Sequence, residues 1–460
     1  MSERIHIAGA GLAGSLLAVL LARRGFPVTL YEARGDLRNE AVAAGRSINL
    51  ALANRGIAAL EEAAVMGQVR ETLIPMRGRM LHAVDGGLML QPYGSRAHEV
   101  IYSVSRGGLN AILLDAAEAH GVELRFHHPV VSFDAVSGLA TLEDQRSNTT
   151  FKIGGPDGGP IFGCDGAGSP IRKGMQAAGV TAVSEDKLPH SYKELHIPPT
   201  ADGGHRMDRE ALHIWPRGGH MVIALPNTDG SFTVTLFLPD LSGGGEPSFA
   251  TLPDGAAARA LFDTEFPDLS ALLPDLDADF DANPKGFLGT IRSEHWYTEH
   301  AVLLGDAAHA VVPFHGQGMN CAFEDCAALA HCIDTLGPDW SRVFPEFEAL
   351  RRANANAIAD MALENYIVMR DSVLDPRFHL RKALEFELER RQPERFIPRY
   401  SMVMFHHLPY AEAQARGAAQ AALMDEVMGD AETLDGIDLA RAEALVTERL
   451  ALLDAGAART

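Results

Sequence analysis

The sequence predicts an α/β chain in three parts: a discontinuous, doubly wound nucleotide-binding fold, a separate antiparallel sheet, and a C-terminal helical region. Three observations carry this. The turn Gly9-Ala10-Gly11-Leu12-Ala13-Gly14 follows a short apolar stretch and opens an apolar run of helical character. Residues 192–238 alternate apolar and polar positions with β-favouring residue types. Beyond Gly316 the chain is dominated by helix formers to its end.

The elements follow in order. Arg4 to Ala8 reads as a buried strand, because Ile5 and Ile7 are β-branched and apolar. A helix from about Ala13 to Arg24 comes next, closed by Gly25. Val28 to Tyr31 is the second strand, ending on Glu32, so the chain starts as a βαβ unit. Met76 to Val104 is cut into short segments by Gly86-Gly87 and Pro92. Leu109 to His120 reads as helix, Val122 to Phe126 and Leu139 to Thr141 as short strands. In the antiparallel region Asp229-Gly230 is a hairpin turn before the run Ser231 to Leu238. Leu241 to Pro253, with three consecutive glycines, is loop. Ala301 to Leu304 returns to the first sheet, and the helices that follow break near Pro376, Pro393 and Pro398. The expected domains are residues 1–75, 98–180 and 285–335 for the nucleotide-binding fold, 76–97 and 181–284 for the second sheet, and 336–460 for the helical region.

Composition narrows the partners. The chain has 460 residues and a net charge of −21, which repels phosphate backbones and anionic lipid, so nucleic acid is not an expected partner. The four cysteines, Cys164, Cys321, Cys326 and Cys332, lack zinc-site spacing and read as buried free thiols of a reducing, cytoplasmic setting. No metal is expected. The N-terminus runs straight into a strand without a signal peptide, and the apolar run Leu16 to Ala22 is too short to span a bilayer. The stretch Leu439 to Thr460 carries charges throughout and is at most an amphipathic helix. Nothing here argues against a homodimer.

Three fingerprints locate a cofactor. In a dinucleotide fold the first glycine permits the turn, the second lets backbone approach a pyrophosphate, and the third lets helix and strand pack closely. Gly9, Gly11 and Gly14 supply these, and the helix N-terminus behind them offers unpaired N–H groups to phosphate. Glu32 ends the second strand where a carboxylate accepts ribose hydroxyls and repels a 2′-phosphate, which suits the adenosine of FAD or NAD. The second fingerprint is Asp165-Gly166, supported by Ser169 and Arg172, and the third is Gly305-Asp306 after a buried strand. Asp306 is placed to accept from a ribityl chain. The segment Pro313-Phe314-His315-Gly316-Gln317-Gly318-Met319-Asn320 opens a helix whose N-terminus stabilises negative charge on a reduced isoalloxazine. Arg106 is a further flavin contact on this reading.

These fingerprints, in this order over a Rossmann-like α/β core, resemble those of the single-component FAD-dependent aromatic hydroxylases. Segments outside the cofactor motifs are similar to the members of that group that act on L-kynurenine, almost end to end. They include Gly45-Arg46-Ser47-Ile48-Asn49-Leu50, Met76-Arg77-Gly78-Arg79-Met80, Gln91-Pro92-Tyr93-Gly94, His213-Ile214-Trp215-Pro216, Glu364-Asn365-Tyr366 and Arg399-Tyr400-Ser401-Met402. The resemblance implies a bound FAD, NADPH as transient reductant and O₂ as co-substrate, with ring hydroxylation through a flavin C4a-hydroperoxide. It implies that Arg79, Tyr93, Asn365 and Tyr400 bind the amino-acid carboxylate. It also implies that Phe237 and Phe314 border the aromatic ring, that Met369 belongs to the substrate site, and that His315 and Gln317 lie near the ring's polar substituents and the oxygen site. Where the family usually has glutamate this chain has Val368, which leaves the pocket details open. A related hydroxylase of another aryl amino acid or anthranilate-like compound is the alternative, and a non-catalytic FAD-fold binding protein the distant one. No second glycine fingerprint places NADPH.

Overall fold

The structure, a computed structural model, describes residues 3–39 and 49–453 (of Leu374, the backbone only). The chain divides into two compact units, each assembled from three stretches. The first unit takes residues 1–73, 104–187 and 289–359, and the second takes 74–103, 188–288 and 360–460. Residues 336–359 therefore group with the nucleotide-binding fold and 360–460 with the second sheet, although the helix Trp340–Arg370 runs without a break from one stretch into the next.

The first unit is built on a five-stranded parallel sheet in the order Ala301–Leu303, Ile161–Gly163, Ile5–Ala8, Val28–Glu32, Glu123–Phe126. Both faces of its central strands are covered: every residue of Ile5–Ala8 and Val28–Glu32 is buried, including the polar His6, Thr29 and Glu32. The helix Leu12–Arg23 covers one face through Leu16, Leu17, Leu20 and Leu21. From Ile5–Ala8 the chain adds strands first on one side and later on the other, so the strand order reverses at that strand. Ligands of open α/β sheets bind outside the carboxyl ends at such a reversal, which here is the turn beginning at Gly9. The expected helix after residue 109 starts earlier, at Arg106, because Ser105 caps it by accepting from Gly108 N.

One feature of this unit departs from expectation. Residues 130–154 form a three-stranded antiparallel sheet, Val130–Asp134, Leu139–Asp144 and Thr149–Gly154, where only one short strand is expected. The outer strand, Thr149-Thr150-Phe151-Lys152, is polar on its exposed side and carries no apolar run to announce it.

The second unit contains a seven-stranded sheet in the order Gly286–Ser293, Val183–Ile197, Phe232–Pro239, Met221–Pro226, Ala211–Pro216, Gly78–His82, Leu88–Pro92. Its first two strands carry the chain across the unit boundary. The expected hairpin is present: Asn227 N donates to Ser231 O across the Asp229-Gly230 turn. All described pairings within it are antiparallel except Ala211–Pro216 with Gly78–His82, which is parallel and puts Leu212 opposite Arg79. One face packs Trp215, Val234, Leu236 and Leu238 against Phe262 and Phe266 of the segment 255–270. A second core joins the helices Pro376–Arg391, Tyr410–Met428 and Leu439–Arg449 through Leu384, Leu388, Leu423 and Val446. No helix among the described residues is long and apolar enough to cross a membrane. All four cysteines are buried free thiols, and burial pushes each of them above the ordinary thiol value.

Candidate functional site

The glycine turn of the first unit separates three requirements. Gly9 has φ +94°, and a Cβ there would lie 2.4 Å from Cys164 O. A Cβ on Gly14 would lie 1.9 Å from Gly9 O, so strand and helix touch backbone to backbone. Gly11 differs: its φ is −72° and, among the described residues, a Cβ would meet nothing within 4 Å beyond its chain neighbours. The protein itself does not require glycine at that point, whereas a pyrophosphate approaching the turn does. Glu32 stands beside the turn, its Oε2 accepting from Ala10 N at 2.9 Å and its Oε1 from Arg34 N and Nε. The carboxylate is thereby fixed in direction with lone pairs to spare for ribose hydroxyls.

The second and third fingerprints meet at the neighbouring strand ends. Asp165 follows Ile161–Gly163, and its Oδ1 is buried without a hydrogen-bond partner among the described residues. Burial raises this carboxyl to about 6, against the opposing effect of Ser169. A buried acceptor with no donor fits a ligand hydroxyl or amide. Arg172, itself buried, donates to Ala167 O and Ala307 O, which ties the Asp165 loop to the Asp306 turn. Asp306 is exposed at the carboxyl end of Ala301–Leu303, yet protein encloses it enough that desolvation raises its carboxyl. That is the situation of a group on the floor of a cleft. His309 and Arg106 lower it in turn, so Arg106, at the start of its helix, lies within electrostatic reach of Asp306.

Beneath this turn lies a network that the sequence did not disclose. Asp325, with no exposed side-chain surface, accepts from Gly305 N at 3.1 Å, His309 Nε2 at 2.6 Å and Arg351 Nε at 2.8 Å. Arg351 also contacts Glu324, which pairs with Arg55 at 2.6 Å. Gly305 sits at φ +55°, and Asp325 holds it there. The only available signal is a pair of adjacent acids, Glu324-Asp325, inside the apolar stretch Cys321 to Ala330. His309, Cys321 and Asp325 lie close enough to suggest a metal centre. The Arg351 guanidinium on Asp325 Oδ1 and the His309 contact on Oδ2 already balance that carboxylate.

The segment Pro313–Asn320 forms a short 3-10 helix, Pro313–His315, a left-handed Gly316 at φ +64°, and the start of Gly318–Leu336. Phe314, His315 and Gln317 are buried. The Asn320 side chain is engaged on three sides: Nδ2 donates to Ala51 O and Gly316 O, and Oδ1 accepts from Ala53 N. That side chain is committed to the protein, which leaves the backbone N–H groups of Gly318, Met319 and Asn320 at the helix N-terminus as the groups able to face a ligand.

In the second unit, Arg79 from Gly78–His82 and Tyr93 from the end of Leu88–Pro92 come together with Tyr400 of the helix Arg399–Phe405. The Tyr93 and Tyr400 rings are stacked at 5.6 Å, and the Arg79 guanidinium carbon lies 5.8 Å and 5.0 Å from their centroids. Burial pushes both phenols above the ordinary tyrosine value, Tyr93 furthest, and the nearby guanidinium offsets this only in part. Arg79 Nε and Tyr93 Oη are buried and make no hydrogen bond of good geometry among the described residues. A buried guanidinium with an N–H to spare, beside a buried phenol O–H, is the chemistry of a carboxylate receptor. Asn365 and Met369 are buried on Trp340–Arg370, four residues apart and so on one helix face, with Val368 half-buried beside them. Phe237 is buried on Phe232–Pro239, opposite Tyr192 and Met221 in the sheet. The segment Gly45-Arg46-Ser47-Ile48 lies outside the described residues.

A family described as FAD binding domain matches residues 3–246 and 275–336. The kynurenine 3-monooxygenase of Stenotrophomonas maltophilia (strain K279a) is 50% identical over 455 residues, 98% of each chain. That of Xanthomonas campestris pv. campestris (strain B100) is 49% identical, covering 98% of this chain and 97% of its own. Among solved structures, 2-methyl-3-hydroxypyridine-5-carboxylic acid oxygenase in its tetrameric form superposes with a TM-score of 0.66 at 18% identity, over 84% of this chain and 98% of that one. P. aeruginosa PqsL in complex with 2-aminobenzoylacetate gives 0.63 at 19% identity, over 81% and 97%. These two likenesses establish the shared fold.

Proposed function

We propose a function from this premise: the chain belongs to the family of kynurenine 3-monooxygenases, FAD-dependent hydroxylases that take electrons from NADPH and one oxygen atom from O₂. It is a flavin-dependent monooxygenase, and its substrate is L-kynurenine, hydroxylated at the ring carbon ortho to the amino group. The observation that carries the substrate is the buried Arg79–Tyr93–Tyr400 cluster, whose Arg79 Nε and Tyr93 Oη make no hydrogen bond of good geometry among the described residues.

The first unit holds the cofactor. Gly11 N and the helix N-terminus behind it receive the pyrophosphate, Glu32 the adenosine ribose, Asp306 the ribityl hydroxyls, and the backbone of Gly318 to Asn320 the flavin ring. Asp165 accepts a further hydrogen bond, and Arg106 supports the same site. Bound there, FAD supplies the activated oxygen.

The remaining work belongs to side chains of this chain. Arg79 grips the amino-acid carboxylate through two charge-assisted hydrogen bonds, with Tyr93, Tyr400 and Asn365 completing the set. Phe237 borders the ring and Met369 lines the same substrate site, which keeps water out. In the first unit His315 and Gln317 lie near the oxygen. The amino group of kynurenine already enriches the ortho carbon, so no strong base is needed to activate it. The protein's contribution is positioning and dryness. L-Kynurenine added to the purified yellow protein is expected to accelerate NADPH oxidation and to appear as the 3-hydroxy product. Unchanged NADPH oxidation with no oxygen gained would overturn the substrate.

A further inference from the structure

Tyr93 lies on a turn whose two ends are held differently. On one side its N–H donates to Arg77 O, which joins it to the strand carrying Arg79. On the other side the chain continues through Gly94, Ser95 and Arg96, and these attach to two buried carboxylates. Glu99 packs against the backbone of Gly94, where a Cβ would lie 2.2 Å from Glu99 Oε2. The same carboxylate accepts from Arg96 N at 2.9 Å and Arg96 Nη1 at 3.0 Å. Glu389, from the helix Pro376–Arg391, accepts from Ser95 Oγ at 2.8 Å, and its other oxygen lies 3.2 Å from Arg96 Nη2. Glu389 is 1% exposed. A charged side chain so deep in a helix is costly to bury. Nothing in the packing of that helix requires it, since Leu384 and Leu388 make the apolar contacts.

We propose that Glu389 is a positioning residue for substrate binding: by holding Ser95 and Arg96 it fixes the turn that aims Tyr93 at the carboxylate receptor beside Arg79. This rests on the function proposed above. The groups facing Glu389 are Ser95, Arg96 and Glu99 of the turn, and Glu385 of its own helix, which is itself paired with Lys382. One guanidinium thus serves two buried carboxylates. Burial first, with Glu99 and Glu385 adding to it, raises the Glu389 carboxyl against the pull of Ser95 and Arg96. Proton uptake on the acid side then removes the charge that holds Arg96.

The test measures KM and kcat for L-kynurenine across pH in the parent, Glu389→Ala and Glu389→Gln holoenzymes, with FAD content and backbone hydrogen exchange of residues 88–100. The expected result for Glu389→Ala is a KM raised about ten-fold at unchanged kcat and FAD content, with faster exchange over residues 91–99. In the parent KM rises as pH falls, and in Glu389→Gln that limb is absent. An unchanged KM, unaltered exchange over 91–99, or an acid limb that persists in Glu389→Gln overturns the proposal. A parent inactive on L-kynurenine sinks the substrate reading instead. The exchange experiment still decides whether Glu389 fixes the turn.

Discussion

Substituting alanine separately at Gly11 and Gly14 tests the cofactor cradle, because the two glycines exist for different reasons. At Gly11 the backbone is φ −72°, ψ −175°, open to any residue, and the new methyl group meets no described residue within 4 Å beyond its chain neighbours. Replacing glycine where alanine fits stabilises by about 0.4–1 kcal/mol through the unfolded chain. Gly11 is also the N-cap of Leu12–Arg23, and alanine caps worse than glycine by roughly the same amount. The two effects nearly cancel, so the apoprotein of Gly11→Ala should melt within a few °C of the parent. Its affinity for FAD should collapse. In the proposed cradle the methyl group stands where phosphate oxygens approach the turn. Losing two charge-assisted hydrogen bonds at about 1.5 kcal/mol each amounts to about 3 kcal/mol, or roughly 100-fold in Kd. Gly14→Ala behaves differently, since its methyl group would sit 1.9 Å from a backbone oxygen of the same turn. Strand and helix must separate, at a cost of about 1–3 kcal/mol or more, and the apoprotein itself should lose stability. The assays are the ratio of flavin to protein absorbance, FAD titration of stripped protein, and thermal unfolding of that apoprotein. Tight FAD binding by Gly11→Ala, or equal destabilisation of both apoproteins, refutes the assignment of Gly11 to ligand approach.

Further outcomes follow from the same geometry. Arg79→Met should raise the Kd for L-kynurenine by about 30-fold or more, since one charge-assisted pair is worth roughly 2 kcal/mol. The decarboxylated analogue should bind parent and variant alike, and equal losses for both ligands would contradict the carboxylate role. Asp165 is protonated more readily in the folded apoprotein, at about 6, than its ordinary 3.8. Folding is therefore favoured by this group at low pH, and that contribution is lost as pH rises from about 4 through 6. The loss amounts to about 3 kcal/mol at 1.36 kcal/mol per pH unit. Asp165→Asn should accordingly stabilise the apoprotein at pH 8 and do little at pH 4, as read by denaturant unfolding. Asp325→Ala leaves Arg351 and His309 without their shared buried partner and should cost about 3–5 kcal/mol of stability. Released from Asp325, the Gly305–Asp306 turn should also shed FAD, and an Asp325→Ala protein that melts like the parent would contradict this reading.

The contrast between the legible and illegible parts of this chain is one of sequence distance. The turn at Gly9 to Gly14 could be read because every participant except Glu32 lies within a few residues, and Glu32 falls at the end of the next strand. The hairpin at Asp229-Gly230 was local in the same sense. Arg172 was noted beside Asp165, but its bond to Ala307 O spans 135 residues and has no local signature. The Asp325 network joins residues 55, 309, 324, 325 and 351, and no spacing rule connects them. Arg79, Tyr93 and Tyr400 would each have passed for a surface arginine or a core aromatic. Family resemblance alone groups them in the sequence; the physical reason lies in the stacked rings and the donors without good hydrogen bonds among the described residues, which only the fold brings together. The strand Thr149–Gly154 was missed because an exposed edge strand needs hydrogen-bonding backbone more than apolar side chains.

The interleaving of the two units constrains how the molecule can be made. Neither unit is a contiguous piece of chain, and the parallel sheet receives its last strand, Ala301–Leu303, some way after Ile161–Gly163, the neighbour it pairs with. During synthesis the edge of Ile161–Gly163 must wait, unpaired, until the intervening residues have left the ribosome. Such long-range closure makes for slow maturation and a window in which the nascent chain is vulnerable to aggregation. Dissecting this protein by truncation is accordingly expected to yield insoluble fragments, whereas circular permutation at an exposed turn would preserve every strand neighbour.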